Sequence, residues 1–194
     1  MKRILMAFMV CAVVAASFGK DNKEKTKVDF YGVDFSAVNV IGAEETTGQF
    51  MNAFEQINEL LVSEQKKYDV GRFLGLDVLS TGYRQAVLNI SKLKDINFKD
   101  KKSPEIDLKS IIASYPSSNN KVLLIIAKEL NKSRYTGTFL AVIYDGTNKE
   151  ILSIKSFSGN AGGFGLRNYW AKALFNGLRY TRPIETKSGD DIYK

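Results

Sequence analysis

From Lys149 to Thr181 the chain reads as one unit: a strand, a glycine-rich turn and a helix. In the strand, Glu150 to Phe157, Leu152 and Ile154 fall on one face and Ser153 and Lys155 on the other, as in a half-exposed strand. The turn is Ser158-Gly-Asn-Ala-Gly-Gly-Phe-Gly165, and the helix opens at Leu166. Leu166, Tyr169, Trp170, Ala173, Leu174, Gly177 and Leu178 recur at helical spacing and form a single apolar stripe. Arg167, Asn168, Lys172, Asn176 and Arg179 lie outside it. A helix with one apolar face, joined to a strand by so short a turn, has to fold back over a sheet.

The turn supports two readings. The first amides of a helix have no intrahelical partner, so a glycine turn leading into one can hold an anion. The plainer reading is that Gly162, Gly163 and Gly165 supply positive φ where the chain reverses. Neither the dinucleotide fingerprint nor the P-loop spacing is matched, which favours the plainer reading. Charge keeps the first one open. Ile151 to Ile184 contains no acidic residue, while Lys155, Arg167, Lys172, Arg179 and Arg182 are basic. The candidate ligand-binding residues are therefore Gly162, Gly163, Gly165, Arg167, Lys172 and Arg179.

The N-terminus sets the expected compartment. Lys2 and Arg3 precede an apolar run from Ile4 to Ala16, and Ser17-Phe18-Gly19 or Val14-Ala15-Ala16 offers a cleavage site, the first favoured. This is the pattern of a secretory signal peptide over residues 1–19, with the mature chain starting at Lys20. Cys11, the only cysteine, lies inside that segment after Phe8-Met9-Val10, which is not a lipobox, so no lipid anchor is expected. The mature chain then has neither disulfide nor thiolate chemistry. The roughly 170 residues left suffice for a self-supporting core. No transmembrane segment is expected after cleavage, and the protein is read as periplasmic or extracellular.

The chain has no histidine, which removes imidazole bases and nearly all zinc and copper sites. No catalytic residue, metal site or cofactor is assigned. The formal charge of +7 falls to about +5 once Lys2 and Arg3 are cleaved off. That excess suits an anionic envelope component or protein partner, and nucleic acid is not expected for an exported chain.

Residues 20–27 read as a flexible leader, 28–181 as one domain and 182–194 as a polar tail. Val28 to Tyr31 and Phe35 to Ile41 have strand composition, broken at Gly32; Asp29 and Asp34 are expected on a solvated strand edge. Thr46 or Thr47 caps a helix whose buried stripe is Phe50, Phe54, Ile57, Leu60 and Leu61, ending near Lys66 and Lys67. Tyr68 to Leu76 reads as a loop or short strand, and Tyr83 to Leu93 as a helix, although Val78 to Gly82 also fits a strand pair. Asp107 caps a short helix from Leu108 to Ser114. Lys121 to Glu129, apolar on both faces, is a central strand. Thr136 to Asp145 follows, then the hairpin turn Asp145-Gly-Thr-Asn148. The order is β-α-(mixed)-α-β-β-β-α, a single α+β domain with a mostly antiparallel or mixed sheet packed against helices.

Ser-x-x-Lys occurs at Ser17, Ser63 and Ser91, and Lys187-Ser188-Gly189 imitates a penicillin-binding element. No Ser-Asp-Asn accompanies them, and Lys66 reads as a solvated helix end, so chance explains them better than a desolvated Ser-Lys pair. Tyr135, Tyr144, Tyr169 and Tyr180 are scattered and are read as core or half-buried positions.

Leu123 to Ala127, Phe139-Leu-Ala-Val-Ile-Tyr-Asp145 and Lys149-Glu-Ile-Leu-Ser153, followed by the turn and helix, form a pattern. It resembles that of curli-assembly-type envelope lipoproteins and the TolB N-terminal domain. Phe35 to Leu61 is compatible with the opening of that group. Gly162-Gly-Phe-Gly-Leu-Arg-Asn-Tyr-Trp-Ala171 is similar to a segment of small secreted Bacteroidetes proteins. The resemblance is one of pattern and brings no catalytic residue. The residues read together point to an exported envelope protein that works by binding rather than catalysis; the alternative is a small envelope hydrolase with a Ser-Lys or carboxylate site.

Intact-mass analysis of the exported protein is expected to show an N-terminus near Lys20 and no added lipid. A mature chain starting at an acylated Cys11 would overturn both expectations.

Overall fold

The computed structural model describes residues 24–93 and 105–184. The signal segment, Lys94, most of the Asp95 to Glu105 connection and the tail beyond Ile184 lie outside the described residues. The first half contains β1 (Lys27–Asp34), β2 (Asn39–Ile41), α1 (Thr47–Ser63), α2 (Val70–Leu74), β3 (Asp77–Thr81) and α3 (Arg84–Ile90). The second contains α4 (Leu108–Ala113), β4 (Lys121–Asn131), β5 (Thr136–Asp145), β6 (Ile151–Asn160) and α5 (Leu166–Tyr180). This is an α+β fold with one mixed sheet, ordered β3-β1-β4-β5-β6, and β2 continues beside β4 beyond the end of β1.

β4 occupies the middle because nothing in it tolerates water. Val122 to Ala127 are all 0% exposed, and a run with no polar face needs cover on both sides. Leu123, Ile125 and Ala127 face the core under α1, α2 and α5. Val122, Leu124 and Ile126 face a smaller core closed by Ile112 of α4 and by Tyr115. β4 runs parallel to β1 and β2 but antiparallel to β5, so the sheet is parallel on one side of it and antiparallel on the other.

The long helices follow their patterns. Thr46 caps α1 through the Gln49 amide and receives the Gln49 side chain on its own amide, a complete capping box. Phe50, Phe54, Ile57, Leu60 and Leu61 are all buried, and the Phe54 ring stacks on Phe35 at 4.0 Å. Trp170 of α5 is 1% exposed against the sheet.

Gly32 does not break the first strand. It sits inside β1 at φ 83° as a bulge, where the register to β4 shifts between Phe30 and Val33. The fully buried carboxamide of Asn58 clamps the bulge. Its Oδ1 accepts from the Val33 amide at 2.8 Å, and its Nδ2 donates to the Val33 carbonyl at 3.0 Å.

Other expectations are also corrected. Tyr68 to Leu76 contains α2 rather than only a loop or short strand, because Asp69 caps the Arg72 amide and Gly75 ends the turn at φ 71°. Asp77 to Ile90 divides into an edge strand and a helix. β6 runs three residues past Phe157 into the supposed turn. Gly159 is a glycine because a Cβ there would collide with the Ala173 carbonyl and the Gly177 amide of α5. In the β5–β6 hairpin the positive φ belongs to Lys149, while Gly146 admits the backbone of Ser118 and Asn120. The packed chain extends to Ile184, 7% exposed and bonded through its amide to the Leu74 carbonyl, so residues 182–184 are not free tail. Tyr144 is fully buried and Tyr169 half-buried, but Tyr135 and Tyr180 are 65% and 77% exposed.

Asn58→Leu keeps the volume but leaves two buried backbone groups of Val33 without partners, at about 1–3 kcal/mol each. Chemical denaturation should show a loss of about 2–5 kcal/mol, against less than about 0.5 kcal/mol for Glu59→Ala on the exposed face beside it.

Candidate functional site

Both aspartates of β1 are buried, contrary to the expected solvated edge. Asp34 is 0% and Asp29 7% exposed. The Gly32 bulge turns them to the same side of the sheet, under α4 and the chain that follows it. Asp34 Oδ1 accepts from the Ser36 amide at 2.8 Å and the Ser36 hydroxyl at 2.5 Å. Its Oδ2 accepts from Asn89 Nδ2 at 2.8 Å and the Tyr115 hydroxyl at 2.7 Å. Asp29 Oδ1 accepts from Ser80 at 2.6 Å, and its Oδ2 from Ser118 at 2.7 Å and Asn120 at 3.2 Å.

Apart from the two local bonds from Ser36, these bonds join β1 to four parts of the chain: α3 through Asn89, the residues after α4 through Tyr115, β3 through Ser80, and the loop before β4 through Ser118 and Asn120. Among the described residues no cation pairs with either carboxylate, so hydrogen bonds alone hold them. Burial works against ionisation of Asp29, but the bonds from Ser80, Ser118 and Asn120 together outweigh it and hold its pKa below the ordinary value. Burial, with the Asp34 charge added, pushes the Tyr115 phenol far up, so it remains a neutral donor. Every strong acceptor direction of Asp34 is used. The network ties elements together.

The Ser-Lys alternative does not assemble either. Ser63 is exposed and donates its hydroxyl to the Glu59 carbonyl at 2.9 Å, and Lys66 is exposed on the chain beyond α1. Lys94 of the Ser91 match, and the matches at Ser17 and Lys187, lie outside the described residues.

The glycine turn leads to a real cleft. Gly163 and Gly165 have φ of 104° and 80°, and Gly162 is not in the positive region. No side chain caps α5 at Gly165, and the first intrahelical bond runs from the Tyr169 amide to the Gly165 carbonyl. The opening of α5 faces α1 across a hollow of about 580 Å³, lined by Glu45, Gln49, Asn52, Gln56, Arg167 and Asn168 among others. Glu45 is matched by Lys132 at 2.7 Å, and although burial opposes its charge, hydrogen bonding to Lys132 and to backbone amides lowers its pKa. Arg167 is half-buried and donates to the Asn168 carboxamide at 3.1 Å; among the described residues it pairs with no carboxylate.

The six candidate residues are not brought to one place. Gly165 and Arg167 line the cleft. Five residues of helix turn Lys172 about 140° away from Arg167, and it lies exposed beside Gly162. Arg179 is a further two turns along, exposed, with its guanidinium 5.7 Å from the exposed ring of Tyr180. The sequence reading missed the α1 wall. Gln49, Asn52 and Gln56 share one face of that helix at spacings of three and four, a signal hidden behind the stronger apolar stripe.

Among the described residues no group of three or more potential metal-ligating side chains occurs, and no helix is long and apolar enough to cross a membrane. Compared with known proteins, the chain matches no family model, no curated protein and no solved structure.

Because Asp29 has a depressed folded-state pKa, its contribution to stability is present above the unfolded carboxyl value of about 3.9 and is lost as pH falls through the lower folded value. Thermal melts from about pH 6 down to about pH 2.5 should therefore decline below about pH 4, and the decline should be shallower for Asp29→Asn. Parallel curves for the two proteins would mean that the Asp29 bonds contribute nothing.

Proposed function

We propose that the chain is an exported domain of the cell envelope that acts by binding, and that it receives an anionic envelope component in the cleft between α1 and the start of α5. The single observation behind this reading is the uncapped N-terminus of α5 opening, beside the unmatched guanidinium of Arg167, onto a polar hollow. Unpaired amides and a helix dipole favour a negative group there. The Thr46 cap uses Gln49 Oε1, Gln56 Nε2 donates to Asn52 Oδ1, and Asn168 is bonded at both ends. Gln49 Nε2, Asn52 Nδ2 and Gln56 Oε1 are therefore the wall groups offered to hydroxyls attached to that negative group. The signal-like N-terminus supports the compartment. The hydrolase reading has no support from geometry, since Ser63, Lys66 and Asp34 are engaged elsewhere or apart.

At partly exposed positions the dipole and Arg167 each supply about 1 kcal/mol or less, so binding should be weak and salt-sensitive. Titration of the mature protein with phosphorylated lipid A-like glycan and with wall-derived anionic polymer should show binding at low salt that fades at high salt. Arg167→Ala should weaken it by up to about fivefold. Lys172→Ala, on the other flank of the helix, should leave it nearly unchanged. Equal binding by wild type and Arg167→Ala, or none at low salt, would overturn the proposal.

A further inference from the structure

β3 is an edge strand. It pairs with β1 on one side, and among the described residues no strand pairs with the other. Edge strands offer a free hydrogen-bond ladder, and folds usually blunt them with charge or polar side chains. Both edges carry polar side chains, Ser153, Lys155, Ser156 and Ser158 on β6 and Asp77, Ser80 and Thr81 on β3, and each also exposes one large apolar residue, Ile154 at 50% and Leu79 at 49%. Leu79 stands where the pairing of β3 with β1 shifts register.

Two hollows flank this open edge. One, of about 540 Å³, lies between β3 and the end of α1, with Leu61, Val62, Val78 and Leu79 on its walls. The second, of about 440 Å³, shares Val62 and Thr81 with the first and continues toward α3, where Val87 and Leu88 line it. Val62 and Leu88 are 36% and 47% exposed, so apolar surface is contiguous along the edge.

The charges around it are uneven. Lys66 on the first hollow and Arg84 on the second are exposed, and among the described residues neither pairs with a carboxylate. Of the nearby acids, Asp69 is occupied by the Arg72 amide and guanidinium, and Asp77 stands at the far start of the strand. An open ladder, an apolar trough beside it and two unmatched cations specify an occupant: an extended strand with apolar side chains at alternate positions and acidic residues near them.

We propose that β3 and its trough form a docking site for an extended acidic segment of a partner protein, added to the sheet as a further strand. This site is separate from the anion cleft and does not depend on it.

Selection of displayed random dodecapeptides on the mature full-length chain should enrich sequences that alternate apolar residues and carry Asp or Glu. A selected peptide should slow amide exchange in β3. Leu79→Asp should weaken its binding by about tenfold or more, and Lys66→Glu with Arg84→Glu by about fivefold. All three positions are exposed or half-exposed, so the melting temperatures of these variants should stay near wild type, and anion binding at the α5 cleft should persist. Enrichment of basic peptides, protection mapping elsewhere, or no enrichment would overturn the proposal. So would a dimer in sedimentation that Leu79→Asp disperses, since the occupant is then a second copy. Slow β3 exchange in the free monomer would also overturn it, because the chain would already cover its own edge.

Discussion

The clamp of Asn58 on the backbone of Val33 decides which way the first strand faces. Asp29 and Asp34 are five residues apart, so in a regular strand they would point to opposite sides. Asp34 would then enter the apolar core beneath α1, and Val33 and Phe35 would turn away from it. The bulge at Gly32 inserts one residue and reverses the parity, because a one-residue slip exchanges the two faces of a strand. Phe30, Val33 and Phe35 then share the large core, and both carboxylates share the other side. Glycine is required twice at this point. The backbone is at φ 83°, and a Cβ would stand 2.6 Å from Asn58 Oδ1.

The far side of the sheet depends on that choice. β4 needs cover on both faces, but α4 has only six residues to give on this side. Aliphatic packing there is confined to a small cluster around Ile112, Val122, Leu124 and Val142. The two aspartates extend the closure by drawing in Ser36, Ser80, Asn89, Tyr115, Ser118 and Asn120 as donors. A buried carboxylate without a cation is tolerable only with its acceptor sites filled, and bonds to a charged acceptor contribute about 1.5–3 kcal/mol each. The geometry of such bonds is directional, so this side gains a unique arrangement that a few aliphatic contacts would not impose.

What was legible in the sequence follows from the same physics. The stripes of α1 and α5, the two-faced run of β4, and the caps at Thr46 and Asp107 are local signals backed by large burial, and each appears in the fold. α2 was not legible, because five residues carry no periodicity and its existence rests on Asp69 and Gly75. β3 was ambiguous because an edge strand with little buried area keeps Ser80 and Thr81 beside its apolar residues. The aspartates were misplaced because burial of a carboxylate is decided by donors remote in sequence, such as Asn89, Tyr115 and Ser118. At the glycine turn, Arg167 was legible as a basic residue at a helix start. Its separation from Lys172 follows from five residues of helix and is itself a local property, whereas its position opposite Gln49, Asn52 and Gln56 depends on how α5 crosses α1, which no local pattern contains.

α1 links the two proposed binding surfaces. Gln49, Asn52 and Gln56 along its first half form a wall of the anion cleft, and Val62 at its end faces the β3 trough. Thirteen residues separate Gln49 from Val62, about 20 Å of helix. At physiological salt the Debye length is about 8 Å, so an anion at Arg167 exerts almost no direct field on a segment held near Lys66. Any coupling between the sites would have to pass through movement of α1 itself. Its packing opposes such movement: Phe50, Phe54 and Ile57 are fully buried between the two surfaces, and Asn58 fastens the helix to β1. A close-packed helix held at several points does not shift without breaking those contacts. The two proposed sites are therefore independent by construction, and occupancy of one would leave the other unchanged while one close-packed helix fixes the distance between them.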